Sequence, residues 1–165
     1  MADRDNSSNN AMEKQYIVFE IESEMYGISV KNSESIERMT LITRVPDSSD
    51  YVLGIINLRG DILPVLSLRR RIGLEPKEYD PDTRVLVFDS ESYRVGLVVD
   101  KVVGIVNIPE LGIQPAKNVL ADKESFFIES VYNSNDSVIM LLNMDIILNV
   151  DHSNIAKEKR DVTVI

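Results

Sequence analysis

One stretch of the sequence occurs twice, and this internal repeat constrains the fold more than any other feature. The segment IVFEIESEMYGISV at residues 17–30 aligns without a gap with LVFDSESYRVGLVV at residues 86–99. Phenylalanine falls on phenylalanine, acidic residue on acidic residue, and Gly27 on Gly96. A repeat of this kind indicates two small units of similar structure within one chain.

A second pair of segments repeats in the same order along the chain. NLRGDILPVLSL at residues 57–68 aligns with NSNDSVIMLLNM at residues 133–144, turn on turn. Both copies contain an apolar run that follows turn residues, which is typical of strands joined by tight turns. Short strands with frequent turns favour closed barrels, which leave no exposed sheet edge. The predicted fold class is therefore all-β, with two five-stranded β-barrels related by the pseudo-repeat and a few short helices.

Local signals predict several turns and caps. Arg59-Gly60 separates two apolar runs and predicts a hairpin turn. Pro64 has no N–H to donate to a ladder, so we expect it at a sheet edge or a bulge. Ser67 is a candidate N-cap for a short helix, LRRRI, and Gly73 is placed to end that helix.

Three further segments complete the prediction of local structure. ITRVP at residues 42–46 predicts a short strand that the proline stops. Residues 109–125 show no regular pattern and are expected to be irregular. Near the end of the repeat, Asn143 is a candidate cap for a last helix, MDIILN.

Changes in composition divide the chain into three parts. Residues 1–14 are polar and rich in Asn, Ser and Asp, which predicts a disordered leader. A folded domain is expected over residues 15–150, followed by a charged C-terminal tail at residues 151–165. Within the domain, the sequence predicts two subdomains at roughly residues 15–75 and 83–150, with exchange of strands between them allowed.

The charge balance bears on partners and on location. The chain carries 18 basic and 27 acidic residues, a net charge of −9. Because nucleic acids are bound mainly through Lys and Arg, and anionic membranes attract basic segments, neither is an expected partner. There is no cysteine, the N-terminus lacks the apolar core of a signal peptide, and no apolar run approaches the roughly 20 residues of a membrane helix. These features favour a cytoplasmic protein without membrane insertion.

The sequence offers little that resembles a catalytic or metal-binding site. His152 is the only histidine, and metal sites require several convergent ligands. The carboxylates are scattered through turn sequences such as EIESE and DSESY, and no glycine-rich phosphate loop is present. We therefore expect a protein that is not an enzyme and that uses no cofactor.

Two arginine-containing motifs have simple structural interpretations. Arg59-Gly60-Asp61 spells an adhesion tripeptide, but glycine beside a charged residue is ordinary hairpin-turn chemistry. Arg69, Arg70 and Arg71 fall on one helical turn, where successive side chains point about 100° apart and form no single stripe. They are interpreted as a solvated cap that the helix C-terminal dipole favours.

Several separated motifs together resemble one protein family. YVLGIINLRGDILPVLSLRRRIGL, followed by VGLVVDKVVGIVNI, is similar to the CheW family, the coupling proteins of bacterial chemotaxis. The shared pattern is a glycine, an Asn-x-Arg-Gly turn, an apolar-Pro-apolar strand, a short helix, and then Val-Gly-apolar-apolar-Val-Asp. In this sequence the matching residues are Gly54, Asn57, Arg59, Gly60, Leu63-Pro64-Val65 and Val95 through Asp100. The resemblance extends over residues 15–150 and includes the closing IMLLNMDIIL.

The resemblance implies both a fold and a function. It implies two SH3-like barrels around a shared core, in agreement with the repeat. It also implies a scaffold, or adaptor, that docks the cytoplasmic tips of methyl-accepting receptors to the histidine kinase CheA through the regulatory domain of that kinase. On this basis the protein is expected to be cytoplasmic and recruited to membrane-associated receptor arrays.

Receptor contacts are expected at an arginine and along an apolar seam between the barrels. Arg59 at a hairpin tip can make bidentate hydrogen bonds to carboxylates or carbonyls of a partner. It can equally form an ion pair within the chain, with a glutamate of the segment that contains Glu34, Ser35 and Glu37. A seam between the barrels suits the face of a receptor helix, although each apolar residue there can equally belong to the core. The seam candidates are Ile28, Val30, Ile36, Val99, Val102 and Ile105.

Kinase contacts are expected on the hairpin that carries Arg59, because exposed apolar edges suit docking between barrels. The candidates are Gly54, Ile56, Leu58, Ile62 and Pro64.

Two other functions stay open at this point. One is a coupling domain of the CheV-like type or an excised kinase regulatory domain, against which the absence of a receiver domain argues. The other, from a different class, is a small β-barrel that binds a small molecule, which requires a deep pocket lined by convergent polar groups.

Overall fold

The fold is described from a computed structural model, which defines residues 13–120 and 127–149. The predicted leader falls almost entirely outside these residues, as do the charged tail and His152. The chain divides into two compact units. Unit 1 takes its described residues from 1–30 and 103–146, and unit 2 takes them from 31–102 and 147–165.

Unit 1 is built on a six-stranded sheet, and most of its neighbouring strands are antiparallel. The strand order is β8-β1-β2-β11-β10-β9, in which β11 and β2 pair in parallel. The strands of this sheet are β1 (Glu13–Ile21), β2 (Glu24–Ser29), β8 (Lys101–Pro109), β9 (Ile113–Pro115), β10 (Ile128–Ser134) and β11 (Ser137–Leu142).

Unit 2 is built on a five-stranded sheet in the order β3-β6-β7-β5-β4. Its strands are β3 (Ser33–Arg38), β4 (Val52–Leu58), β5 (Asp61–Ser67), β6 (Arg84–Asp89) and β7 (Arg94–Val99). Among the described residues, the α-helices are α1 (Leu68–Arg71) and α2 (Met144–Asn149), and two 3₁₀ helices span Glu110–Gly112 and Ala116–Asn118. Together the sheets confirm the predicted fold class.

The register of the strands reproduces the sequence repeat. In the β1–β2 hairpin Ile17 lies opposite Ile28, and in the β6–β7 hairpin their repeat equivalents Leu86 and Leu97 lie opposite each other. The β4–β5 and β10–β11 hairpins also match, since each carries a register shift at the equivalent place, after Val52 and after Ile128. Residues that align in the sequence therefore occupy equivalent positions in the two sheets.

Each sheet combines strands from both halves of the chain. The β6–β7 hairpin of the second half joins β3, β4 and β5 of the first half, and β5 pairs with β7 in parallel at Val65 and Gly96. The β1–β2 hairpin joins β8, β10 and β11 in the same manner, with Leu141 of β11 opposite Gly27 of β2. The units are therefore not the consecutive halves of the sequence.

The aligned glycines allow close packing at these parallel pairs. A Cβ atom at Gly96 would lie 2.7 Å from a methyl group of Val85 and 2.9 Å from one of Val65. A Cβ atom at Gly27 would lie 2.9 Å from a methyl group of Leu141. Interiors packed to this density tolerate no added methyl group without a shift, which accounts for glycine at both positions.

Gly54 is held by a close approach of the chain on the other side of β4. Its φ of +142° is a conformation that residues with a Cβ rarely adopt. A Cβ atom here would overlap the carbonyl group of Thr43, whose backbone exchanges two hydrogen bonds of 2.8 Å with Ile55. The predicted strand at residues 42–46 is wrong in extent, because only this isolated bridge at Thr43 forms.

Other local predictions have mixed outcomes. The N-cap is confirmed, since the Ser67 side chain accepts a hydrogen bond from the backbone N–H of Arg70, and Gly73 follows α1 with a φ of +88°. Pro64 does not lie on an edge strand, since β5 has a partner on each side. The pairing of β5 with β7 nevertheless begins only at Val65, so that the ladder on that side starts after the proline.

Candidate interaction site at the hairpin turn

The turn between β4 and β5 is a compact structure that its sequence specifies. Arg59 and Gly60 connect the strands, and both have positive φ angles, of 51° and 90°. Positive φ at both positions is typical of the tight turns that suit the twist of a hairpin. The Asn57 side-chain oxygen accepts a hydrogen bond of 2.9 Å from the Gly60 N–H. Asparagine, arginine and glycine in this spacing are therefore explained by the geometry of the turn.

Arg59 projects from this turn and is only partly engaged. Its Nη2 lies 2.7 Å from Oε1 of Glu37 on β3. Of the two glutamates that the sequence offered as partners, Glu37 is therefore the one that pairs with Arg59. The Arg59 side chain remains 70% exposed, whereas that of Glu37 is 19% exposed. The pair joins β3, at one edge of the sheet order, to the turn that ends β4 at the other edge, as expected for a sheet that curls into a barrel.

The neighbours of Glu37 on β3 have different roles. Glu34 lies 3.3 Å from a guanidinium nitrogen of Arg94 rather than near Arg59. The Ser35 hydroxyl is buried and has no hydrogen-bond partner among the described residues. Of these three residues of β3, Glu37 is the one that pairs with the arginine of the turn.

The apolar receptor candidates differ widely in exposure. Ile28 and Val99 are buried, so their side chains offer almost no surface to a partner. Val30 and Val102 are partly buried, whereas Ile36 and Ile105 are exposed. A contact through this set accordingly depends mainly on Ile36 and Ile105, and the role of all six residues stays a prediction.

The kinase candidates show the same division. Gly54, Ile56 and Pro64 are buried in the hairpin, and Ile56 belongs to the core cluster of unit 2. Leu58 is partly buried and Ile62 is exposed. The surface of the β4–β5 hairpin available to a partner is therefore concentrated near its turn.

The repeat points to an exposed residue that the sequence analysis did not select. Val138 at the start of β11 is the repeat equivalent of Ile62, and both are exposed. Ile36 and Ile105 occupy corresponding positions on β3 and β8, the strands that follow the two aligned hairpins. Aligning the repeats in the sequence could have found Val138, because the residues aligned with a surface candidate are themselves surface candidates.

The interpretation of the three arginines of α1 as a solvated cap is wrong for Arg69, whereas Arg70 and Arg71 are partly exposed. Arg69 is buried, and its Nη1 lies 2.6 Å from Oδ2 of Asp100 in a pair whose side chains are 9% and 13% exposed. Its Nε also donates to the carbonyl oxygen of Glu75. The aspartate that ends the Val-Gly-apolar-apolar-Val-Asp pattern is thus the counter-ion of a buried arginine, a contact that sequence spacing did not reveal.

The other two arginines connect α1 to different segments. Arg70 donates to the backbone and side-chain oxygens of Asp50, each at 3.2 Å. Arg71 donates from Nε to the carbonyl oxygen of Ile147, one of the carbonyls in the last turn of α2 that have no partner within the helix. The guanidinium of Arg71 also lies 5.2 Å from the ring centre of Tyr51, in a cation–π contact. The arginine run therefore links α1 to segments of unit 2 that are distant in the sequence.

The loop between β3 and β4 borders a groove of about 660 Å³. It is lined by residues between Ile42 and Leu53 together with Arg70. Two arginines and two aspartates stand among apolar side chains there, so the lining has no excess of either charge. Within the described residues, no group of three or more His, Cys, Asp or Glu side chains is arranged to hold a metal ion. None of the described helices has both the length and the apolar character needed to cross a membrane.

Comparisons with known proteins agree on one family. The model of the CheW-like domain matches residues 15–152. The chain is 33% identical over 137 residues to the chemotaxis protein CheW of Helicobacter pylori, covering 83% of this chain and 82% of that protein. It is 29% identical over 143 residues to the CheW of Bacillus subtilis, covering 87% and 92%. The crystal structure of the scaffolding protein TtCheW from Thermoanaerobacter tengcongensis superposes with a TM-score of 0.75 at 29% identity, covering 86% of this chain and 96% of that one.

Proposed function

The chain belongs to the CheW-like family, and on that premise we propose that it is an adaptor that joins chemotaxis receptors to the histidine kinase CheA. The family match over residues 15–152 carries the proposal, because it includes every described residue from Gln15 onward. Similar proteins are named for chemotaxis, and the similar structure is named a scaffolding protein. Under this proposal the protein catalyses no reaction, needs no cofactor, and works in the cytoplasm at receptor arrays.

The geometry of Arg59 supports a role in binding. The turn fixes its backbone, and Glu37 engages Nη2 while most of the side chain remains exposed. A guanidinium has five N–H donors in a planar fork, and interface hot spots are enriched in arginine. Arg59 is therefore suited to bind a carboxylate or a backbone carbonyl of a receptor tip without a large loss of conformational entropy.

The surface proposed for the kinase lies on the same hairpin. Leu58 and Ile62 flank the turn and retain apolar surface, and β4 is an edge strand in the sheet order. The outer side of β4 is bridged to Thr43 at Ile55, and an exposed apolar patch near the turn suits docking of another small barrel. The buried candidates Gly54, Ile56 and Pro64 support the shape of this hairpin from within.

An adaptor of this kind acts through proximity. Binding two partners on one molecule raises their effective concentration for each other, so modest individual affinities suffice. Reversible contacts of standard size bury roughly 1,600 Å² or less in total. The apolar surface that Leu58 and Ile62 leave near the β4–β5 turn is consistent with such contacts.

The substitution Arg59→Ala tests the proposed contact between Arg59 and the receptor. We expect the affinity for a receptor cytoplasmic fragment to fall by at least about tenfold, as for a hot-spot arginine. The fold should remain intact, because an ion pair with one exposed partner contributes less than about 1 kcal/mol. Isothermal titration calorimetry measures the affinity, and circular dichroism monitors folding.

Arg84→Ala is the matched control, since Arg84 lies in the same unit and donates to the carbonyl oxygens of Pro81 and Thr83. Normal binding by the Arg59 variant would remove that residue from the interaction. Failure of the unaltered protein to bind either the receptor fragment or the kinase would overturn the proposed function itself.

A further inference from the structure

One guanidinium in unit 2 contacts acidic residues from three different strands. Arg94, the first residue of β7, lies 3.3 Å from Glu34 on β3, 3.7 Å from Asp61 on β5 and 3.7 Å from Asp89 on β6. Its side chain is 17% exposed, and those of the carboxylates are considerably more exposed. Arg94 thus occupies the centre of an otherwise acidic group.

These contacts connect parts of the sheet that strand pairing leaves apart. In the order β3-β6-β7-β5-β4, two strands separate β3 from β5. Asp61 directly follows Arg59-Gly60, and Glu34 lies on the same strand as Glu37, the partner of Arg59. Arg94 and Arg59 therefore hold the same turn against the same strand, one from each side of Gly60.

The fold does not require this arrangement. In unit 1 the residue aligned with Arg94 is Met25, which packs against the core, and the residue aligned with Asp61 is Ser137. The equivalent hairpins nevertheless pair in the same register in both units. Because the pairing forms without the ionic contacts in unit 1, the charges in unit 2 call for an explanation other than strand pairing.

We propose that Arg94 is a positioning residue for the turn that presents Arg59, an inference that rests on the function proposed above. By neutralising Asp61 and Glu34, Arg94 allows the turn to lie close to β3 despite the acidic side chains on both. The Arg59 guanidinium is thereby held near Glu37 in the orientation in which a partner meets it. Arg94 itself acts through the turn rather than by touching the partner.

Removing the charge leaves three carboxylates without their common counter-ion. In Arg94→Gln, repulsion between Asp61 and Glu34 moves the turn away from β3 and widens the range of positions open to Arg59. The lost preorganisation weakens binding, because the partner must then order the turn. We expect the affinity to fall about threefold to tenfold, and the defect to shrink as salt screens the carboxylates over a Debye length of about 10 Å at 0.1 M.

A double-mutant cycle with Arg59→Ala tests this mechanism. The affinity for the receptor fragment and for the regulatory domain of the kinase is measured for the unaltered protein, for each single variant and for the double variant, at low and high salt. If Arg94 acts through Arg59, Arg94→Gln weakens binding in the unaltered background but has no further effect once Arg59 is alanine. Arg84→Gln, which removes a guanidinium bonded to backbone carbonyls, is the control and should bind normally.

Each outcome separates the inference from the proposed function. An equal loss of affinity in both backgrounds, or a loss that salt does not change, would overturn the positioning role, because a general structural defect behaves in that way. Normal binding by Arg94→Gln while Arg59→Ala binds weakly would also overturn it and leave the proposed function standing. If Arg94→Gln unfolds, Arg94→Lys takes its place in the same cycle. Because lysine keeps the positive charge, this variant should lose less affinity than Arg59→Ala, and an equal loss in both backgrounds would again overturn the positioning role.

Discussion

The buried ion pair of Arg69 and Asp100 gives the most quantitative prediction. Asp100→Asn keeps the size of the side chain and an oxygen that can accept from Arg69, but it removes the negative charge. The pair is separated by 2.6 Å, and neither side chain is more than 13% exposed. A guanidinium left there without its counter-ion stays largely desolvated, because the Arg69 side chain is 9% exposed, although it still donates to the Glu75 carbonyl oxygen.

The magnitude follows from this burial. Removing one partner of a buried pair costs about 3–5 kcal/mol. Because asparagine retains a neutral hydrogen bond and water reaches part of Asp100, we expect a loss somewhat below this range, about 2–3 kcal/mol. At about 2–4 °C per kcal/mol for a chain of this size, the melting temperature should fall by about 4–12 °C.

Asp50→Asn provides the matched control for this measurement. Asp50 pairs with the neighbouring arginine, Arg70, but its side chain is 86% exposed, so the loss should be below about 1 kcal/mol. Thermal and urea unfolding of both variants, compared with the unaltered protein, give the free energies. Equal stability of the two variants would refute the argument that burial makes Asp100 a structural residue.

Two further predictions concern the β4–β5 hairpin and the linker before β6. Gly54→Ala should lower the free energy of unfolding by about 3 kcal/mol, because the new Cβ overlaps the Thr43 carbonyl. Gly60→Ala, with a φ of +90° but open space around it, should cost only about 1 kcal/mol of backbone strain. Urea unfolding of both variants measures these losses, and equal losses would contradict the steric argument. The pKa of Asp80 is lowered from 3.8, chiefly by the hydrogen bond from the backbone N–H of Asp82. The ionised carboxylate therefore makes a small contribution to stability that is present above pH 3.8 and is lost as the pH falls through the pKa of the folded protein. An NMR titration midpoint for Asp80 at or above 3.8 would count against this.

The repeat made the pairing of the strands predictable. Two aligned glycines, Gly27 and Gly96, and two aligned hairpins were enough to indicate equivalent units, because a gapless alignment preserves the alternation that sets register. Which strands combine to form each sheet was harder to predict from the sequence. The parallel contacts that bring β5 to β7 and β11 to β2 join distant segments, and they have no local signature.

The polar strand β3 shows a different limit. Its sequence, SESIER, has exposed and half-buried residues in place of an apolar run, which is characteristic of a charged edge strand. Sequence periodicity therefore gave no strand there, and a strand was instead predicted at residues 42–46, where one bridge forms. Glu37 on this missed strand is the partner of Arg59, so the choice among the acidic residues required the structure.

The arginine run illustrates why charge alone is a poor guide to exposure. Three consecutive arginines on a short helix favour a solvated surface by composition. Their actual partners are Asp100, Asp50 and the carbonyl of Ile147, none of which is close in sequence. Long side chains of this kind find partners across the fold, and only the tertiary structure determines which of them are buried.

The most direct test of the central proposal is a reconstitution of kinase activity. Autophosphorylation of purified CheA is measured with a receptor cytoplasmic fragment, with this protein, and with both together. The proposal predicts a strong rise in activity only when all three components are present. No rise in the complete mixture, while this protein remains folded, or the same rise without the receptor fragment, would contradict a coupling role.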